Sequence, residues 1–231
     1  MPRSSVSRRR SPPRRATGFH VRGEMGGFWT PPVKLLDGLW FRLGDRWLTA
    51  RSYTAGWGYQ RMSLGTHDGV RVTRTDLAPD GVRAGLVGLR LAASRATRVT
   101  LSVDAHSELM KVYPWGETTP SQTVYNLPDR GAVRDGSLVF TEDGTPPVPN
   151  AEAHHYAAVV GSALKPRSSS LGPDHRGPQR RVRCPVSGPG TPTQPTRCDD
   201  SGYGRGTGGR LTYDVAVPAG GRTVWFAVAG S

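Results

Sequence analysis

The chain has 231 residues, with 31 Lys and Arg against 18 Asp and Glu, a formal net charge of +13. Hydrophobic residues make up 35%, enough for one core, while 30 Gly and 20 Pro interrupt the chain too often for long helices. No apolar run reaches the roughly 18 residues that a membrane-spanning helix needs, so the composition points to a basic, turn-rich, all-β protein.

Residues 1–17 hold Arg3, Arg8, Arg9, Arg10, Arg14 and Arg15 and no acid. Ser, Pro and Arg offer nothing to bury, so this stretch reads as a disordered arm. The sharper alternative is a nucleic-acid-binding arm. Against it, only Lys34, Lys111 and Lys165 are lysine, an Arg bias that GC-rich coding produces without selection for binding. No aromatics interleave with the basic cluster either, as a single-strand binder would require. No apolar segment follows the arginines, so the arm does not make a secretory signal.

The remainder, 18–231, reads as one β-sandwich domain. Leu39-Trp40-Phe41 and Arg46-Trp47-Leu48 flank Gly44-Asp45 as a hairpin. Strands are expected over Gly58 to Leu64, Val70 to Leu77 and Val82 to Leu91. Val99, Leu101, Val103 and Ala105 alternate with Thr100, Ser102, Asp104 and His106, the period of a half-buried strand. Val124 to Leu127, Ser137 to Thr141 and Tyr156 to Val160 follow as shorter candidates. Leu211, Tyr213, Val215 and Val217, then Val224, Phe226 and Val228, close the pattern around Pro218-Ala219-Gly220-Gly221. About ten short strands with turns between them predict an antiparallel sandwich. The exception is 165–209, whose Gly, Pro, Ser and Arg content predicts a long loop.

Chemistry is sparse in this pattern. Asp37, Asp68, Asp80, Asp135 and Asp143 each precede Gly and read as turn residues. Of the other acids, Glu24, Asp104, Glu108 and Glu117 are the candidate carboxylates for glycoside chemistry, but no spacing marks a catalytic pair. There is no GxSxG and no HExxH; His154 and His155 are adjacent, and successive strand side chains face opposite ways. The glycines at 202, 204, 206, 208 and 209 precede neither Lys-Ser/Thr nor a helix, which argues against a phosphate cradle. Two cysteines without a CxxC make a poor metal site, so neither a metal nor a cofactor is expected. Cys184 and Cys198, 14 positions apart in the long loop, are expected to form a disulfide. Such a bond would stabilise by about 3 kcal/mol through the unfolded chain and would imply an oxidising compartment. Trp29, Trp57, Tyr59 and Trp115 are aromatics in loop-like contexts, and Tyr113-Pro114-Trp115-Gly116 is costly to expose without a partner. They read either as padding of the local core or as a ligand or interdomain surface.

One resemblance covers roughly residues 20–231. Met25-Gly26-Gly27-Phe28-Trp29-Thr30-Pro31-Pro32-Val33-Lys34-Leu35-Leu36-Asp37-Gly38-Leu39-Trp40-Phe41 resembles the opening of the N-terminal domain of bacterial glycogen-debranching-like glycoside hydrolases. Asp104-Ala105-His106-Ser107-Glu108-Leu109-Met110, Tyr113 to Gly116, Asn126-Leu127-Pro128-Asp129 and Gly206 to Tyr213 are similar to the same domain. The resemblance implies a supersandwich that packs on a catalytic six-hairpin (α/α)6 toroid and lends loops to its cleft. No position here matches the toroid's acid and base, so no catalytic residue carries over. The expectation is an accessory domain, inactive alone and separated from its toroid by a truncated or frameshifted reading frame; an autonomous carbohydrate-binding module is the alternative. The implied partners are that catalytic domain and an α-glucan or other oligosaccharide, with no membrane and no nucleic acid. The contact residues expected are Trp29, Trp57, Tyr59, Glu108, Tyr113 and Trp115. The resemblance and the disulfide imply secretion, although 1–17 provides no signal.

Overall fold

The computed structural model describes residues 27–111, 124–179 and 204–231. Fourteen strands lie among them and no helix. One sheet follows the order β1 (Phe28–Thr30), β2 (Val33–Leu43), β8 (Thr97–Lys111), β13 (Gly208–Val217), β12 (Ser168–Leu171), with β3 (Arg46–Trp47) paired to β2. The other runs β4 (Ser52–Gly56), β5 (Tyr59–His67), β6 (Val70–Leu77), β7 (Ala84–Ala92), β14 (Arg222–Gly230), β11 (His154–Ser162), β10 (Ser137–Gly144), β9 (Arg130–Arg134). Every pairing between these strands is antiparallel.

The period-two pattern places the core. Leu211, Tyr213, Val215 and Val217 of β13 and Val224, Phe226 and Val228 of β14 are all buried, on facing sheets. Leu101, Val103 and Ala105 of β8 meet the same core, as do Val87, Leu89 and Leu91 of β7. Its centre is aromatic: the Phe226 ring lies 5.1 Å from Phe41 and 5.6 Å from Tyr213. The tilted and edge-on geometries are those that ring quadrupoles favour.

Several expectations are corrected. Val124 to Leu127 is a turn and coil rather than a strand, because its backbone bonds to side chains, with the Leu127 amide donating to Glu142. Asp37-Gly38 is no turn: both residues lie inside β2, at a register shift against β8, and Asp37 is buried beside Lys34. Asp143-Gly144 closes β10. Asp68 and Asp135 do sit at positive φ, 49° and 48°, with Gly69 and Gly136 completing their hairpin turns. Within 165–209, Ser168–Leu171 forms an edge strand on β13. The strands β1, β4 and β9, at three to five residues each, are too short to show an alternation in the sequence. The arm 1–17, Tyr113, Trp115, Cys184 and Cys198 lie outside the described residues.

The two sheets differ in width, five strands along the first path against eight in the second. β4 is exposed along its whole length, so the β4–β5 hairpin projects past the cover of the first sheet.

Truncating the core and truncating the projection should differ sharply. Phe226→Ala is expected to cost about 3–5 kcal/mol of unfolding free energy, whereas Trp57→Ala, fully exposed, should change it by less than about 0.5 kcal/mol. Urea titration followed by circular dichroism checks both.

Candidate functional site

Alternation along β6 carries its inward face from core to cleft. Val70 and Val72 are buried in the core; the next two positions on that face are Arg74 and Asp76. Here the second sheet outruns the first, so the face turns polar. Arg74 Nε donates to Asp76 Oδ1 at 2.6 Å and Nη2 to Oδ2 at 2.8 Å. Its Nη1 reaches across to the Leu39 carbonyl at 3.1 Å, tying the sheets together, and the guanidinium lies 5.3 Å from the Phe41 ring centroid. Gln60, directly opposite Asp76 on β5, donates to Asp76 Oδ2 at 3.0 Å.

This strip lines a cleft of about 780 Å³ between the β1–β2 end of one sheet and β5–β7 of the other. Phe28, Trp29, Trp40 and Tyr59 supply its rings. Trp29 stands on β1, with the Lys34 ammonium 5.7 Å from its ring centroid. The Tyr59 ring lies over Gly56, where a Cβ would come within 2.4 Å of it. Trp40 folds over Gly38 and Gly177 in the same way, so both positions exclude a side chain. Balanced charge, a planar amide and carboxylate, and aromatic walls suit a neutral polar ligand better than an ion.

The structure therefore brings Trp29 and Tyr59 to one cleft, with Trp57 at the adjoining hairpin turn. It puts Glu108 elsewhere. Glu108 is 1% exposed within β8 and accepts a hydrogen bond from Asn126 Nδ2 at 3.0 Å. Sequence reasoning missed Gln60, Arg74 and Asp76, although the alternation Val70-Val72-Arg74-Asp76 would have shown a charged pair continuing a core face.

Glu108 belongs to a buried polar cluster that pins 124–129 to the sandwich. The Leu109 amide donates to Asp129 Oδ2 at 3.1 Å, and the Asp129 amide to the Arg205 carbonyl at 3.0 Å. Glu142 is fully buried, accepts from the Leu127 amide at 3.0 Å, and lies 2.5 Å from His154 Nε2. Burial raises Asp129 well above the usual carboxylate range, only partly offset by hydrogen bonds from Ser107 and Leu109. Burial likewise lifts Glu142 from 4.5 to about 8, against the opposing pull of the Leu127 amide and the Arg205 charge. Burial and the neighbouring His155 lower His154. Burial thus disfavours charge on both members of the Glu142–His154 pair. Among the described residues no group of three His, Cys, Asp or Glu could hold a metal ion.

No protein-family model and no curated protein matches this sequence. Among solved structures, one described as "Putative kojibiose phosphorylase from human microbiome" is similar at 9% identity and a TM-score of 0.46, over 86% of this chain and 22% of that one. The chain thus spans about a fifth of that structure's length.

The raised Glu142 makes stability depend on pH. Its contribution is complete below 4.5 and is lost as pH rises toward about 8, because the fold favours the protonated form. His154 acts oppositely: its contribution is complete above 6.5 and lost as pH falls. In Glu142→Gln the melting temperature should fall less steeply between pH 4.5 and 8 than in the unaltered protein, with Asp129 supplying the residual slope. Thermal melts across that range check it; equal slopes would refute it.

Proposed function

We propose that residues 18–231 are the accessory supersandwich of a glycogen-debranching-like glycoside hydrolase, packing on a catalytic (α/α)6 domain and shaping its cleft. The observation that carries this reading is the β4–β5 hairpin. Tyr53 is 67% exposed, Trp57 fully exposed and Tyr59 45% exposed, three large aromatics within seven residues on a projection the first sheet does not cover. Aromatics held in water beside a cleft suit a surface that another domain covers. The motif resemblance from Met25 to Phe41 and from Asp104 to Met110 supplies the family. As an accessory domain the chain contributes contacts and shape; it supplies no catalytic residue.

The second reading, a carbohydrate-binding module, is favoured by the cleft itself. Gln60, Asp76 and Arg74 form a hydrogen-bonding strip between aromatic rings, an arrangement that fits a sugar's hydroxyl edge and its apolar face.

The test begins by reading the coding DNA on both sides of this chain and expressing what it encodes. An (α/α)6 segment is expected. Trp57→Ala should weaken association between that segment and the sandwich about 10-fold or more, as loss of an aromatic anchor does, with the sandwich's melting temperature unchanged. No such segment, or unaltered affinity in a folded Trp57→Ala protein, overturns the accessory reading. Malto-oligosaccharide binding by the chain alone, lost in Gln60→Ala, would favour the second reading instead.

A further inference from the structure

The outer face of the first sheet carries a second polar site, away from the cleft. Strand register builds it. Trp47 on β3 lies opposite Arg42 on β2, Arg42 opposite Ser102 on β8, Ser102 opposite Thr212 on β13, and Thr212 opposite Ser168 on β12. Directly opposed residues share a face. One straight row across five strands therefore reads aromatic, guanidinium, and three hydroxyls. The adjacent row on the same face holds Trp40, Asp104, Arg210 and Ser170, again opposed in sequence.

Small hydroxyls between long arginines leave a trough of about 550 Å³, lined by Arg42, Arg167, Arg210, Ser168, Ser170 and Thr212 among others. Asp45, in the exposed β2–β3 turn, is the one acid in its lining. Two of the three arginines already have carboxylates. Arg210 grips Asp104 through Nε at 2.6 Å and Nη2 at 2.9 Å, and Arg167 reaches Asp214 through Nη1 at 3.1 Å. Arg42 differs. Its Nε is buried with no acceptor among the described residues, and its guanidinium lies 5.6 Å from the Trp47 ring centroid, with Arg210 at 5.7 Å from the same ring. A buried charged donor without an acceptor is costly. A planar fork is suited to two oxygens of one anion.

We propose that this trough binds a tetrahedral oxyanion, a phosphate or sulfate group. Arg42 is its principal donor, through the terminal nitrogens of its guanidinium, and the Ser168 hydroxyl is a neutral donor at the β12 side; Ser170 is already bonded to His175 at 2.9 Å. With Arg210 paired to Asp104 and Arg167 to Asp214, Arg42 is the arginine of the lining that has no carboxylate partner among the described residues. The group could come as the free ion or as a monoester on a sugar, and both present the same three oxygens to the trough. The site owes nothing to the accessory reading and stands if that reading fails.

The experiment is a melting-temperature and calorimetric titration of the whole chain with inorganic phosphate, sulfate, glucose 6-phosphate and acetate, each against chloride at matched ionic strength. Phosphate or sulfate, free or as the ester, is expected to bind at millimolar concentration and raise the melting temperature. Arg42→Ala should weaken binding at least 10-fold. Because that change removes an unsatisfied buried donor, it should not lower the melting temperature in chloride. Ser168→Glu, on an exposed edge strand, places a like charge in the trough and should weaken binding comparably. An ester that binds where the free ions do not identifies the source and supports the site. The proposal is overturned by no binding at about 50 mM, well above the expected millimolar range, by acetate matching phosphate, or by unaltered binding in both folded variants.

Discussion

The carboxylate of Asp104 sits at the centre of the wider structure's constraints. It lies on the middle strand of the first sheet and is wholly buried, although it points away from the hydrophobic core. A charge taken out of water must find partners. Asp104 finds two that make three hydrogen bonds: Arg210 through two nitrogens, and the backbone amide of Gly177 at 3.1 Å. The last contact ties 172–179 to the outer face of the sheet, where Arg176 Nη2 also meets His106 Nε2 at 3.0 Å. Trp40 then packs against Gly177 and closes the edge of this cover. One buried acid thus organises a face that would otherwise lie open, and it fixes Arg210 where it can flank Trp47 beside Arg42.

The other constraint is unequal width. Eight strands packed on a six-stranded sheet cannot all be covered, and the excess falls at the β4–β6 end. The inward face of β6 changes there from Val70 and Val72 to Arg74 and Asp76. An ion pair at this lip satisfies itself, bridges to Leu39 on the opposite sheet, and leaves hydrogen-bonding capacity in the cleft. The cleft is therefore a consequence of the topology, and its chemistry is a property of two positions on one strand.

The core was legible because alternation is a local signal: Leu211, Tyr213, Val215 and Val217 announce a half-buried strand without knowledge of any partner. The trough was not, because it depends on register between distant strands, whereas the charged pair of the cleft was written in the alternation of β6 and was passed over. Arg42, Ser102, Thr212 and Ser168 are scattered over more than a hundred residues, and only strand pairing sets them in a row. Glu108 shows the opposite failure. Its motif singled it out, but β8 runs on to Lys111 and carries it inside, where Asn126 meets it. Asp37-Gly38 misled in the same way, since a turn-forming pair also serves a register shift inside a long strand.

The two edges of the larger sheet are treated differently. β9 is bounded by Arg130 and Arg134, whose charges discourage a second strand from adding to it. β4, Ser52–Gly56, has no charge, no proline and no register shift against β5. Unprotected edges invite pairing and aggregation, so an open β4 is a liability for a chain that works alone. It becomes a working surface if a partner covers it, and the aromatics at Tyr53, Trp57 and Tyr59 cluster on that same hairpin. Protection at one edge and its absence at the other support the reading in which this end of the sandwich meets another domain.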